Sequence, residues 1–196
     1  LNYMEEYGRK ICEAAGLSFN IEMVPVQRKL GGNGPIMANS LASHGCHITY
    51  IGALGKEYVH PVFQDLTQKV KAISISNPGY TDAIEFLDGK IISSKLEPLK
   101  DVNWKNLKEK VGVDTLVKCM DESDMIGFEN WTLVVGTSDI WKHILDEVVP
   151  KMTKQDRKPL FVDLADPEKR DKKDILEALK YLEQFEGKFE TILGLN

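Results

Sequence analysis

Residues 31–45 read Gly-Gly-Asn-Gly-Pro-Ile-Met-Ala-Asn-Ser-Leu-Ala-Ser-His-Gly. Three glycines in the first four positions let a backbone approach a ligand with no side chain in the way. Pro35 suits the first turn of a helix, where its missing N–H costs nothing, and Gly45 suits the left-handed position past the end. A helix opening here aims its unpaired N–H groups at whatever lies over the turn, which would hold a hydroxyl-rich or anionic ligand. The residues alone also allow a plain tight turn before a helix. A second group of side chains, Glu129, Asp163 and Asn196, stands where runs of strand character end. In open α/β sheets ligands sit outside the carboxyl ends of the strands. That rule marks all three as candidate site residues.

Two phosphate-binding motifs are excluded. A P-loop needs Gly-Lys-Ser/Thr after its glycines, and Pro35-Ile36 stands there instead. A dinucleotide fingerprint needs a third glycine where Met37 lies. Cys12, Cys46 and Cys119 are widely separated, and the four histidines share no ligand spacing. Neither set points to zinc.

The elements that must position these residues follow from periodicity. Residues 3–15 read as a short amphipathic helix stopped by Gly16. Residues 20–30 alternate apolar positions and predict a strand, and 47–52 and 70–76 predict two more, with a helix over 58–69 between them. Ala83–Leu87 and Lys90–Ser94 flank Asp88-Gly89, a tight-hairpin signal. Helices near 103–110 and 113–120 precede a strand at 124–129. A helix from Ser138 or Asp139 to about 148, a strand at 160–163, a helix over 171–185 and a strand starting at 191 complete the pattern. This alternation means parallel pairing and an α/β fold. The final strand has no covering helix, so the sequence reads as an incomplete domain.

The 196 residues are 42% hydrophobic and 28% charged, with a net charge of −5 and a pI near 5.5. That is an ordinary globular composition. It argues against a nucleic-acid protein, which needs a basic face. No apolar run reaches transmembrane length and no signal peptide opens the chain, so a cytoplasmic protein with reduced cysteines is expected.

The glycine turn and its helix resemble the first signature of the ribokinase-like (PfkB) carbohydrate kinases. Gly31 and Gly32 supply the glycine pair, Ala38 the small residue, Gly45 the helix end, and Ile-Gly-Ala-Leu-Gly closes on Gly55 at the family spacing. Further pieces follow in family order. Asp82 to Lys90 is similar to the strand and turn after the lid region. Met125 to Asn130 is similar to the strand whose end contacts substrate. Phe161 to Asp166 with Arg170 is similar to the Asp-x-x-(Asn/Asp)…Arg strand end, and Ile192 to Asn196 to the start of an Asn-x-x-Glu motif. Two departures stand out. Ile36 occupies a position where the family usually has a substrate-binding Asn, and Glu57 one where it often has Asp.

The resemblance implies a Rossmann-type three-layer fold with a central, mostly parallel sheet and a small β lid. Residues 1–196 would form one partial domain, with lid strands near 20–30 and 70–97. It implies ATP-dependent phosphorylation of a hydroxyl on a sugar or nucleoside, with Mg2+ and ATP as cofactors. Substrate would be held by Gly31, Gly32, Asn33, Glu129 and Asn130. Asp163, Asp166 and Asn196 would face the nucleotide and metal side, with no direct metal ligand in this chain. The first family strand is expected before Leu1, and the Gly-Ala-Gly-Asp loop with the catalytic base after Asn196. No nucleic-acid or membrane partner is implied, and the lid hairpin can pair two copies as a homodimer. The alternative is a non-catalytic small-molecule-binding or regulatory module on the same fold, for which Ile36 is the motive.

Overall fold

The computed structural model describes residues 1–194 apart from Gln155. In chain order its elements are α1 (Met4–Glu13), α2 (Asn33–Ser43), β1 (Thr49–Ala53), α3 (Gln64–Lys69), β2 (Lys71–Ser76), β3 (Tyr80–Phe86) and β4 (Gly89–Lys95). There follow α4 (Trp104–Lys110), α5 (Val113–Glu122), β5 (Ile126–Phe128), α6 (Thr137–His143), β6 (Pro159–Asp163), α7 (Lys172–Glu186) and β7 (Glu190–Gly194). They form two compact units. One comprises Leu1–Lys29 with Gly79–Lys95, and the other Leu30–Pro78 with the residues from Leu96 onward.

The first unit is a helix and a hairpin. β3 and β4 pair antiparallel from Tyr80↔Lys95 to Phe86↔Gly89, which leaves Leu87 and Asp88 as the two-residue loop. The glycine of the expected Asp-Gly turn therefore opens the second strand. The Asp88 carboxylate accepts the Met4 N–H at 3.0 Å, Leu87 N donates to the Asn2 carbonyl, and Tyr7 packs on Phe86 at 5.5 Å between ring centroids. These contacts fix the start of α1 to the hairpin turn.

The strand expected over residues 20–30 does not form. Its alternation buries nothing: Met23 is 50%, Val24 75% and Val26 96% exposed. Pro25 at its centre has no N–H for a ladder, and no described strand pairs with it. The lid strands are also shorter than 70–97, because Lys71–Ser76 pairs in parallel with β1 in the second unit.

The second unit is α/β, as expected. β1 and β2 form one parallel pair, and β5, β6 and β7 form a three-stranded parallel sheet. Successive strand residues point to opposite faces, so each sheet feeds two layers. Ile51 and Ile75 join a large core with Ile126, Phe128, Leu160 and Val162, covered by Trp104 and Leu107 of α4, Trp141 of α6 and Phe185 of α7. Tyr50 and Ala72 face the other way, into a smaller core with Ala38 of α2 and Leu66 of α3. Helices on both faces of parallel strands make the three-layer arrangement. Leu160, Val162, Trp141 and Phe185 are essentially inaccessible. Burying one such side chain contributes about 1.5–3 kcal/mol.

Lys158, buried just before β6, donates from Nζ to the carbonyls of Met120, Asp121 and Ser123 at 2.6–3.0 Å. It thereby satisfies the carbonyls at the end of α5, where a cation is favoured. The helix expected over 58–69 begins only at Gln64, since Pro61 opens a 3-10 turn. The helix after Gly136 is regular to His143 and then widens into a π turn over Ile144–Val148.

Candidate functional site

The start of α2 and the ends of β5 and β6 converge. Gly32 precedes the helix with φ 87°, a conformation costly for any residue with a side chain. The first helical bond runs from Ile36 N to Gly32 O at 3.1 Å, so the Asn33 and Gly34 amides precede the helical ladder. Asn33 Nδ2 donates to Asp163 Oδ2 at 2.5 Å. The other oxygen of Asp163 accepts the Ala165 N–H at 2.8 Å. Asp163 is thus held from both sides by donors.

Glu129 lies beside Asp163. Burial, then the negative charge of Asp163 and a hydrogen bond to it, push the Glu129 carboxyl up to about 7. Burial and the neighbouring negative charge both favour the protonated form of Glu129. Glu129 Oε1 is buried without a hydrogen-bond partner, and so is Asn130 Oδ1 next to it. Unpaired buried acceptors are costly and rare. Adjacent ones at a strand end are suited to hydroxyl donors from a ligand.

Three residues complete the site that the sequence reading did not assign. Tyr50 of β1 lies against Gly34 and Glu129, and burial followed by the Glu129 charge raises its phenol above the usual range. A Cβ on Gly34 would meet the Tyr50 ring at 3.2 Å and Glu129 Cβ at 3.5 Å. A Cβ on Gly127 would meet Met37 at 3.2 Å. These two glycines let α2 sit directly on β5. Gly127 carried a readable signal, since an isolated glycine in a strand marks close approach. Tyr50 carried none, because a tyrosine in a buried strand is ordinary packing.

The other expected residues fall as follows. Gly31 is exposed with open space around it, and Gly32 caps the helix. Ile36 is 52% exposed on the first turn of α2. Asp166 is not joined to the cluster: its carboxylate binds Lys169 at 2.5 Å beside a short 3-10 turn. Asn196 lies outside the described residues. Among the described residues no three His, Cys, Asp or Glu side chains converge as a metal site. Both Asp163 oxygens are already bonded to donors. The residues present therefore suit a hydroxyl ligand and do not fit a directly bound Mg2+. Among the described residues no helix is long and apolar enough to cross a membrane.

The chain is 25% identical over 153 residues to a ketohexokinase of Haloferax volcanii. That match covers 78% of this chain and 40% of the relative, so the chain spans well under half of that protein's length. No solved structure matches. The family described as prokaryotic ketohexokinase matches residues 2–196. Ketohexokinases are PfkB carbohydrate kinases, and the match runs over nearly the whole chain: the chain belongs to the prokaryotic ketohexokinase family.

Proposed function

We propose that the protein carrying this chain transfers the ATP γ-phosphoryl group to a hydroxyl of a ketohexose or a closely related sugar, and that this chain supplies the acceptor side. The observation that carries the reading is the Asn33–Asp163–Glu129 cluster, with a buried Glu129 oxygen lacking a partner. A sugar hydroxyl donating to Glu129 Oε1 satisfies that oxygen. A neighbouring hydroxyl can replace Asn33 at Asp163 or bind its amide. The free amides at the start of α2 bind hydroxyl oxygens from the other side. Phosphoryl transfer depends mainly on positioning and charge neutralisation. These residues hold and orient the acceptor, while ATP with Mg2+ is the donor. The proton acceptor for the reacting hydroxyl is assigned to neither Glu129 nor Asp163. It is expected in a Gly-Ala-Gly-Asp loop beyond these residues. The reaction would take place in the cytoplasm, where ATP is available, and the β3–β4 hairpin, whose outer edges are unpaired among the described strands, would form a homodimer contact.

Calorimetric titration of the 196-residue chain with D-fructose and with a nucleoside tests the acceptor role. The expected result is sugar binding weakened about tenfold or more by Asn33→Ala and by Glu129→Ala, as for loss of one good hydrogen bond with its partner left unsatisfied. Binding of wild-type strength in both variants contradicts it. The non-catalytic reading, motivated by Ile36, is favoured if the full-length gene product binds sugar but never consumes ATP.

A further inference from the structure

We propose that Arg170 is a positioning residue for the carboxyl pair: it locks together the loops that follow β5 and β6, and so sets the spacing of Glu129 and Asp163. The inference about spacing stands on geometry alone. Only its consequence for sugar binding rests on the function proposed above.

Each loop leaves its strand through a residue in the left-handed conformation, Asn130 with φ 61° and Ala165 with φ 60°. They are the only non-glycine residues with positive φ among the described residues. Such conformations persist only where the surroundings over-determine them, and here the two loops are laced to one another. Trp131 N donates to the Asp163 carbonyl at 3.3 Å, and Thr132 N donates to the Leu164 carbonyl at 3.2 Å. Thr132 Oγ1 donates to the same Leu164 carbonyl at 2.6 Å. Asp163 then turns its own carboxylate back to Ala165 N.

Arg170 closes this lacing from the far side. Its guanidinium lies 4.3 Å from the centre of the Trp131 ring. Nη1 donates to the carbonyls of Trp131 at 3.2 Å and Thr132 at 3.4 Å, while Nε donates to Asp174 Oδ2 at 3.1 Å. The side chain is only 14% exposed, and Trp131 beneath it is fully buried with Nε1 donating to Ser138 Oγ. Arg170 belongs to the segment after β6, and its Nη1 bonds end on the backbone after β5. It therefore couples the element carrying Asp163 to the one carrying Glu129. The stack and the fork need a planar guanidinium, which a lysine ammonium cannot reproduce.

The test reads the site without any ligand, so its failure and that of the kinase reading are distinguishable. In the 196-residue chain, the side-chain carboxyl of Glu129 is followed by 13C NMR against pH, with Glu129→Gln to assign it. Thermal stability is measured alongside. The wild-type midpoint is expected near 7. In Arg170→Met the loops relax, Glu129 moves away from Asp163 and gains water, and the midpoint falls by roughly half a pH unit or more. Arg170→Lys, which keeps the charge beside Asp174, does not restore it, and it serves alone if the Met variant does not fold. Val148→Ala, a core change outside the two loops, lowers stability and leaves the midpoint in place. The proposal is overturned if the midpoint is unchanged in the folded Arg170 variants, or if Val148→Ala shifts it equally.

Discussion

Glu129 keeps its proton to near neutral pH because burial and the adjacent Asp163 both disfavour its charge. Its folded value of about 7 lies above the ordinary 4.5. Between those values the native state binds more protons than the unfolded chain. Stability from this group is therefore full below about 4.5, declines as pH rises through the window, and is flat above about 7. Glu129→Gln removes the charge and keeps the shape. It is predicted to be more stable than the wild type at pH 8 by about 1 kcal/mol, after allowing for the group's partial exposure. The advantage should vanish near pH 4.5. Urea unfolding at a series of pH values checks this, and parallel curves for the two proteins would refute it.

At the scale of elements, the approach of α2 to the strands depends on absent side chains. Tyr50 folds back over its own strand, so a Cβ on Gly52 would lie 2.5 Å from the Tyr50 hydroxyl and 2.8 Å from the ring. Gly52→Ala is predicted to cost about 1–3 kcal/mol by overpacking. Tyr50→Leu removes the obstacle, so the double variant should be markedly less destabilised than the sum of the two single changes. A denaturation cycle showing simple additivity would contradict the packing described. This contact also shows where the sequence stops being legible. Local chemistry marks α2 through Gly32, Pro35 and Gly45, and it marks the hairpin through Asp88-Gly89. It marks Glu129 and Asp163 by their place at strand ends. Residues 20–30 failed because alternation alone cannot create a neighbouring strand, and Pro25 removed a ladder donor. Tyr50 was missed because its role comes from residues 16 and 79 positions away, Gly34 and Glu129. Asp166 looked equivalent to Asp163 in sequence, yet Lys169 three residues on claims its carboxylate.

For the whole molecule, the proposed acceptor site lies among residues where no three metal-ligating side chains converge, within the described part of the chain. The 196-residue chain is accordingly predicted to bind sugar and to transfer no phosphoryl group from ATP. A radiolabelled-ATP assay with a pure sample checks this, and any sugar phosphate formed would relocate the catalytic base into these residues. The two-stranded hairpin of the first unit exposes Ile92, and both its outer edges are unpaired among the described strands. Such edges favour pairing with a second copy. Light scattering on the full-length gene product is expected to give a dimer, and a clean monomer removes that assignment. The most direct test of the account is sugar-dependent ADP formation by the full-length product with ATP and Mg2+, wild type against Glu129→Ala. The account predicts turnover with a ketohexose and a kcat/KM lowered by a hundredfold or so in the variant, about 2.7 kcal/mol of lost acceptor binding and orientation. Turnover unaffected by the substitution, or no phosphorylation of any sugar, would contradict it.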